Sequence, residues 1–323
     1  MQVVITGGAG FLGQRLARKL LERGTIADAS GSQQTIERIV LVDVAAARGF
    51  DDRRVESIAG DIADTATLAR IVDRDIGSVF HLAAVVSGQA ERDFDLGMRV
   101  NLDASRLLLE ACRAAGTRPR VLFTSSVAVY GGDLPDVVTD TTALNPRSSY
   151  GAQKAIAELL LADYTRKGFV DGRVARLPTI SVRPGRPNQA ASSFASGIIR
   201  EPLNGEATVC PVGAHLRIWL SSPRRAIDSL IALHDVGAEA LGHNCNVNLP
   251  GLSVSVAEMV DALRAVAGND AVARISWRRD ETIERIVGSW PSAWDTRRAE
   301  ALGLTADASF EAIVRAHIED EMR

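Results

Sequence analysis

Short apolar runs alternate with amphipathic stretches along the first half of the chain. The runs are rich in β-branched residues and bounded by small or polar ones, which is typical of buried strands. They cover residues 2–6, 39–43, 55–59, 78–84 and 174–177, together with a run that starts at Val121 and ends in hydroxyl side chains. The stretches between them predict helices at residues 14–23, 102–115 and 152–163. Strands separated by helices predict an α/β fold with a parallel sheet.

The pattern is less regular after residue 175. An amphipathic helix is predicted at residues 256–267, a short strand at 275–277 and a closing helix at 310–319. Residues 184–192 are polar and rich in Gly, Pro and Asn, so we expect a loop there that forms one wall of a substrate pocket. Residues 27–34 are interpreted as a surface loop.

Three glycines follow the first predicted strand. Gly7, Gly10 and Gly13 are spaced G-x-x-G-x-x-G, one residue different from the dinucleotide fingerprint but in the same strand–turn–helix context. Glycines there let the backbone approach a pyrophosphate, which meets the amides at the helix N-terminus. The alternative is a glycine-rich turn without a ligand. The motif predicts a Rossmann doubly wound parallel sheet in a cofactor domain at residues 1–175. A smaller mixed substrate domain follows at 176–323, with a segment near 215–235 packing back on the sheet.

Two acidic residues bear on the choice of cofactor. Asp43 ends the second long strand, where an acid hydrogen-bonds the ribose 2′-hydroxyl of NAD and repels the 2′-phosphate of NADP. The alternative interpretation is that Asp43 caps a helix or is an acidic residue in a loop. Asp61 could accept a hydrogen bond from the adenine amino group, or it could cap the helix that starts near Asp64, and the sequence does not decide between the two.

The run at residues 78–84 ends in small side chains, which would let a cofactor lie across the strand ends. His81 within it is interpreted as a core histidine rather than a catalyst. Asn101 heads the next predicted helix, where it could hydrogen-bond near the site or act as an N-cap.

Tyr150 and Lys154 are four residues apart and therefore share one face of the helix at 152–163. An ammonium beside a phenol favours the phenolate, so Lys154 is predicted to lower the pKa of Tyr150. A tyrosine tuned in this way can take a proton from an alcohol while a hydride leaves the same carbon. A serine at the end of the strand that starts at Val121 could hold the substrate oxygen. The alternative is a surface helix with a stray lysine.

Composition excludes several classes of function. The hydrophobic content of 46% and charged content of 24% are ordinary for a globular protein, and the net charge of −3 argues against nucleic-acid or polybasic membrane binding. The three cysteines are scattered, which favours a reducing cytoplasm over a disulfide framework. The five histidines lack metal-ligand spacing, so we expect no metal site, and no apolar run approaches a membrane span.

These motifs together resemble the extended short-chain dehydrogenase/reductase superfamily over residues 1 to about 180. The resemblance depends on the glycine motif, Asp43, Gly60-Asp61, the run His81 to Ala84, Ser125-Ser126 and Tyr150-x-x-x-Lys154. The resemblance implies that Tyr150 is the general base, that Lys154 holds the nicotinamide ribose and that Ser126 holds the substrate oxygen, with Ser125 the weaker alternative. It also implies NAD as cofactor, and a homodimer formed through the helices at 102–115 and 152–163. The implied cofactor-binding residues are Gly7, Gly10, Phe11, Leu12, Gly13, Asp43, Asp61, Ile62, Leu82, Ala83, Ala84, Asn101, Thr124, Tyr150, Lys154 and Pro178.

A narrower resemblance concerns the substrate. Residues 124–132, 176–185 and 219–225 resemble the D-erythronate dehydrogenases, which implies NAD-dependent oxidation of a small sugar acid, D-erythronate, at C2. Thr179 stands where sugar-nucleotide epimerases have Asn, which argues against a UDP-sugar. Arg183 and Arg217 are candidates for binding the substrate carboxylate. The alternative for each arginine is an ion pair on the protein surface. The implied substrate residues are Ser126, Tyr150, Thr179, Arg183 and Arg217. Two alternatives stay open, namely a nucleotide-sugar 4-epimerase or dehydratase with tightly bound NAD and a catalytically silent dinucleotide sensor.

Overall fold

The computed structural model describes residues 1–322 as fourteen strands and fourteen α-helices. The strands are β1 (Gln2–Thr6), β2 (Thr25–Ala27), β3 (Gln33–Thr35), β4 (Arg38–Asp43), β5 (Val55–Ala59), β6 (Ile76–His81), β7 (Arg120–Ser126), β8 (Asp171–Leu177), β9 (Thr179–Ile180), β10 (Thr208–Cys210), β11 (Arg217–Ser221), β12 (Asn246–Asn248), β13 (Leu252–Ser255) and β14 (Ile275–Trp277).

The helices are α1 (Phe11–Arg23), α2 (Thr65–Ile71), α3 (Ser87–Arg92), α4 (Phe94–Gly97), α5 (Ala104–Ala115), α6 (Ser149–Arg166), α7 (Phe194–Leu203), α8 (Pro223–Asp235), α9 (Ala238–Leu241), α10 (Val256–Ala267), α11 (Asn269–Val272), α12 (Glu281–Gly288), α13 (Arg297–Ala301) and α14 (Phe310–Glu321). A π-helical stretch, Met98–Asp103, joins α4 to α5. Single 3₁₀ turns lie at Val127–Val129 and Ala191–Ser193.

A sheet of seven parallel strands forms the centre of the fold, in the order β12-β8-β7-β6-β1-β4-β5. Helices α1 and α8 cover one face, where Leu16, Leu20 and Leu230 share a buried core. Helices α2, α5 and α6 cover the other face with a second core. The strand order reverses between β1 and β6, which is where ligands bind in sheets of this type. The predicted Rossmann doubly wound α/β fold is confirmed.

Two pieces of this half come from far along the chain. Strand β12 pairs with the edge of β8, with Asn246 opposite Val174, and was not predicted. Helix α8 packs against α1, β7 and β8 and contributes Leu230 and Leu233 to the first core. Strand β11, which precedes α8, instead lies between β9 and β13 in a separate three-stranded sheet.

A third core holds the rest of the C-terminal portion together. Helices α7, α10 and α14 contribute Ile198, Met259 and Phe310 to it. The predicted helix at 256–267 and the predicted strand at 275–277 lie where the pattern put them, and the closing helix extends to Glu321.

Three local predictions were incomplete. Residues 27–34 are not only a loop, because β2 and β3 pair as an antiparallel hairpin closed by hydrogen bonds from Ser30 to the Asp28 carboxylate. Helix α6 is longer than predicted at both ends. It begins earlier because the Ser148 hydroxyl caps its first turn by accepting from the Gly151 amide at 3.2 Å. The helix predicted at 102–115 begins earlier, since α4 and the π-helical stretch run directly into α5.

Candidate active site

A cavity of about 550 Å³ lies at the carboxyl ends of the central strands. It reaches from the glycine loop between β1 and α1 to the first turns of α6. Seventeen of the predicted residues line it, namely Gly7, Gly10, Phe11, Leu12, Gly13, Asp43, Asp61, Ile62, Leu82, Ala83, Ala84, Thr124, Ser126, Tyr150, Lys154, Pro178 and Arg183. Residues from seven different parts of the chain therefore converge on one space.

The glycine loop has the shape that a dinucleotide pyrophosphate requires. Gly7 has φ of +71°, and a side chain there would put Cβ 2.9 Å from the Ala83 amide nitrogen. A Cβ on Gly13 would lie 2.3 Å from the Gly7 carbonyl oxygen, so α1 could not approach the loop with any larger residue. No side chain within residues 1–322 caps the start of α1 at Gly10. Its first-turn amides therefore face the cavity and are available to an anion, and the loop fits NAD.

Asp43 lies at the end of β4 and lines the cavity beside this loop. Its carboxylate accepts a hydrogen bond from the Ala9 amide at 3.1 Å and another from the Val44 amide at 2.8 Å. These bonds hold the charge in place next to the cofactor cradle, where a 2′-phosphate would meet it.

Asp61 is not a helix cap. The cap of α2 is Asp64, whose carboxylate accepts from the Ala66 and Thr67 amides. Asp61 lines the cavity, forms an ion pair with Arg99 and accepts from the Ala63 amide. Its carboxylate is thus placed at the cavity wall and shared with a cation that the sequence did not single out.

Asn101 requires a correction, because it neither lines the cavity nor caps a helix. It is buried inside the π-helical stretch, where its Oδ1 accepts from the Val85 amide at 2.8 Å. Its Nδ2 donates to the Val85 carbonyl and to Gln153 Oε1. The side chain therefore holds in place Val85, a lining residue, and reaches the cofactor space only through it.

Tyr150 lies in the first turn of α6 and faces the cavity together with Ser126. Burial raises the pKa of Tyr150, while the Ser126 hydroxyl and the charge of Arg183 act in the opposite direction. Arg183 is thus a cation that favours the phenolate, and the sequence did not predict this effect. Lys154 Nζ lies 5.8 Å from the centre of the Tyr150 ring.

Lys154 is fully buried beneath the tyrosine. Its Nζ donates to the Thr124 carbonyl at 2.9 Å and lies 4.5 Å from the centre of the Phe123 ring. Burial lowers the pKa of Lys154 to about 7, and the Glu158 carboxylate one helical turn further on opposes this shift. Lys154 is therefore poised near neutral pH to lose or gain a proton.

Buried polar side chains support the catalytic helix from below, and the sequence analysis missed them. Glu158 accepts from the Ser125 hydroxyl and from Arg176, whose Nη2 lies 2.7 Å from the carboxylate. Arg176 also donates to the Tyr130 hydroxyl at 2.6 Å. The network assigns Ser125 a structural role and leaves Ser126 facing the cavity. The available signals were an arginine between the apolar residues Ala175 and Leu177 of β8 and an acid four residues after Lys154.

The two candidate arginines lie in different places. Arg183 is half-buried and lines the cavity beside Tyr150, and its guanidinium forms no hydrogen bond or ion pair with any of residues 1–322. Its backbone is fixed, since the amide donates to Ser196 Oγ at 3.0 Å and the carbonyl accepts from Arg200. Burial lowers the pKa of Arg183, but a guanidinium stays charged at neutral pH.

Arg217 was wrongly placed in the pocket by the sequence analysis. Its side chain is 44% exposed and pairs with Glu258 at 3.2 Å. The reason is the strand register, because Leu220 of β11 pairs with Thr179, and Arg217 begins the same strand three residues earlier. That separation is about 10 Å along a strand.

A smaller pocket of about 60 Å³ adjoins the cavity at Ser126 and Tyr150. Thr179 lines this pocket rather than the larger cavity. Ser87, Ser192 and Trp290 also line it and were not predicted. The only available signal was the loop at residues 184–192, which contains Ser192.

Within residues 1–322, no group of three or more His, Cys, Asp or Glu side chains is arranged to hold a metal ion. None of the helices described there combines the length and the apolar character needed to cross a membrane.

Known proteins resemble this chain along its whole length. It is 62% identical over 320 residues to D-erythronate dehydrogenase of Cupriavidus necator, which covers 99% of this chain and 98% of that protein. It is 45% identical over 323 residues to D-erythronate dehydrogenase of Haemophilus influenzae, covering 100% of both. The crystal structure of the nucleoside-diphosphate-sugar epimerase from Agrobacterium tumefaciens has a TM-score of 0.91 at 44% identity, covering 100% of this chain and 94% of that one.

The sequence profile of the NAD dependent epimerase/dehydratase family matches residues 3–223. This match spans the glycine loop, Asp43 and the Ser126, Tyr150 and Lys154 group described above. The chain belongs to the NAD dependent epimerase/dehydratase family.

Proposed function

We propose that this protein is an NAD-dependent dehydrogenase that oxidises D-erythronate at C2 to the 2-oxo acid. The observation that carries the proposal is the Arg183 guanidinium, which has no partner among residues 1–322 and lies beside Ser126 and Tyr150. An alcohol held by the two hydroxyls would place a neighbouring carboxylate within reach of this cation. The two relatives named D-erythronate dehydrogenase, at 62% and 45% identity, support the same substrate.

The sizes of the two spaces support a small substrate. The larger cavity, of about 550 Å³, contains the glycine loop and Asp43 in its lining and is therefore assigned to NAD. Substrate is left with the smaller pocket and the adjoining surface of Ser126, Tyr150 and Arg183.

The proposed reaction uses each of these side chains once. Arg183 binds the carboxylate, and Ser126 donates a hydrogen bond to the C2 oxygen. Tyr150, as phenolate, accepts the proton of the C2 hydroxyl, so that the C2 alcohol becomes a ketone. When bound, NAD supplies the acceptor for the hydride that leaves C2. Tyr150 then releases the proton to solvent, which restores the base.

The competing function is epimerisation of a nucleotide sugar, since the epimerase from Agrobacterium tumefaciens is 44% identical. A second cavity of about 530 Å³, on the far side of residues 187–191, has room for a nucleotide. Its charged lining residues are Glu91, Glu201 and Arg92, and Arg92 already donates to Gln189. This lining carries more negative than positive charge and is unfavourable for a diphosphate.

The proposal includes a homodimer formed through α5 and α6. Its support is an exposed apolar patch on α6, where Leu159 is 68% and Ile156 42% exposed one turn apart. Leu159→Glu should convert the dimer into monomers in sedimentation velocity. Val137→Glu, at another exposed apolar position, should leave the dimer intact. A monomeric wild-type protein would rule the dimer out.

Net production of NADH tests the dehydrogenase. Purified protein is given NAD with D-erythronate or with UDP-sugars, and NADH absorbance is followed. We expect NADH to accumulate with D-erythronate only. Tyr150→Phe should abolish turnover and retain NAD binding, because it removes only the proton acceptor. The matched control is Tyr164→Phe in the same helix, whose hydroxyl instead bonds Glu110. Interconversion of UDP-sugars without net NADH would replace this function with the epimerase.

A further inference from the structure

The small pocket adjoins the catalytic cavity. It shares Ser126, Tyr150 and Arg183 with the larger cavity, and Trp290 is also part of its lining. Its volume of about 60 Å³ leaves room for only a few atoms. A substrate whose C2 lies at Tyr150 must fit the remainder of its chain into that space.

A four-carbon sugar acid needs little of this space. Beyond C2, D-erythronate has four non-hydrogen atoms, C3 and C4 with one hydroxyl oxygen each. Each additional carbon of a longer aldonate brings two more atoms, so a six-carbon acid would need about twice the room that D-erythronate needs in a pocket of about 60 Å³.

The polar lining of the pocket suits hydroxyl groups. Thr179 and Ser192 are buried residues of the lining, and their hydroxyls have no hydrogen-bond partner among residues 1–322. Ser87 Oγ accepts from the Ala191 amide at 3.2 Å, which leaves its own proton available to donate. Three hydroxyls in so small a pocket can satisfy the two remaining oxygens of the substrate.

Trp290 lines the pocket and is held in place by its packing. Its side chain packs against both the third core and the cluster that contains Tyr130 and Trp219. Its amide donates to the Val287 carbonyl at 3.1 Å, so the end of α12 fixes its backbone. A large ring supported on two sides cannot move aside without exposing apolar surface.

We propose that Ser87, Ser192 and Trp290 form a subsite for the terminal hydroxymethyl group, and that Trp290 limits the substrate to four carbons. This inference rests on the proposed function. Trp290 acts by position alone, because it touches the far end of the substrate and not the reacting carbon.

The test compares chain length against a change at Trp290. The substrates are D-erythronate, D-ribonate and D-allonate, which share the configuration at C2 and C3 and have four, five and six carbons. Wild type should lose about 10-fold or more in kcat/KM for each added carbon, the usual range for a group that a pocket cannot accommodate. Trp290→Leu should raise the ratio of kcat/KM for D-allonate to that for D-erythronate by about 10-fold or more. Trp290→Phe should also raise this ratio, but by a smaller factor.

The matched control is Trp294→Phe. Trp294 lies four residues after Trp290. It stacks on Trp219 with the ring centres 5.6 Å apart, but it does not line the pocket. Its replacement should leave the ratio unchanged, while thermal unfolding checks that all variants are folded. If wild type oxidises D-erythronate but accepts D-allonate equally well, or if both Trp290 variants keep the wild-type ratio, the inference is overturned and the dehydrogenase stands. If wild type oxidises no aldonate, the proposed function is overturned together with the subsite.

Discussion

Replacing Arg183 by methionine tests carboxylate binding and base tuning together. Methionine keeps an unbranched stem of similar shape and removes the charge. The structure gives the guanidinium two neighbours of interest, the space for the substrate carboxylate and the Tyr150 phenol, whose pKa it lowers. One substitution should therefore change both the rate with the acid and the pH dependence of that rate.

The size of the rate effect follows from the surroundings of Arg183. Exposed ion pairs contribute only about 0.2–1 kcal/mol, but this guanidinium is half-buried, and among residues 1–322 no carboxylate competes for it. A charge-assisted pair in such a cavity contributes roughly 2–4 kcal/mol to transition-state binding, which corresponds to about 30- to 1,000-fold in kcat/KM. Arg183→Met should lose this factor with D-erythronate. It should change little with erythritol, an uncharged polyol of the same length.

The pH effect has a definite sign. Tyr150 must be deprotonated to act as a base, so kcat/KM rises with pH through the pKa of Tyr150. Removing the Arg183 cation raises that pKa, and the rising limb of the profile should move to higher pH.

The control for both effects is Arg217→Met. Arg217 is exposed and paired with Glu258, so its loss should alter neither the D-erythronate rate nor the pH profile. The reasoning about Arg183 is refuted if Arg183→Met retains wild-type kcat/KM for D-erythronate. It is also refuted if the acid and the polyol lose activity equally.

The remaining predictions concern cofactor choice and stability. Asp43→Asn should narrow the preference for NAD over NADP by about 10-fold, chiefly by lowering the KM for NADP. The reason is that asparagine removes a fixed negative charge but keeps a hydrogen-bond acceptor. If the ratio of kcat/KM for NAD to that for NADP is unchanged in steady-state assays, another residue recognises the ribose. Burial lowers the pKa of His81 to about 3 and of His234 to about 4, so both stay neutral when folded while the unfolded chain binds protons below about 6.5. Their contribution to stability is complete above pH 6.5 and is lost as the pH falls toward 4, at about 1.4 kcal/mol per pH unit for each histidine. In urea denaturation from pH 6 to 4.5, His81→Gln should remove about half of this slope, and an unaltered slope would contradict the assignment.

Local geometry explains which parts of the site could be predicted from sequence. The spacing of Tyr150 and Lys154 fixes their common helix face, and the three glycines fix a turn, so both placements needed only short-range rules. Arg183 was placed well because it follows β9 directly. Arg217 was misplaced because its position depends on how β11 pairs with β9 and β13, which spacing along the chain does not encode.

Long-range packing accounts for the other omissions. The pattern Asn-Val-Asn of β12 is too short and polar to predict a strand, and it forms one only because β8 offers an open edge. Trp290 and Ser192 reach the pocket through the assembly of the third core. The charge of Arg183 also acts on Tyr150, and reasoning from i, i+4 spacing does not include a residue so far along the chain.

The late arrival of β12 and α8 has a consequence for synthesis of the protein on the ribosome. The glycine loop is made first, but the sheet beneath it is not complete until residue 248 of 323 has been added. Until then, the nascent chain exposes the open edge of β8 and the apolar surface that Leu230 and Leu233 later cover, the kind of surface that chaperones bind and that aggregates. The glycine loop of the cofactor site is therefore translated early, but the sheet that supports it is completed late.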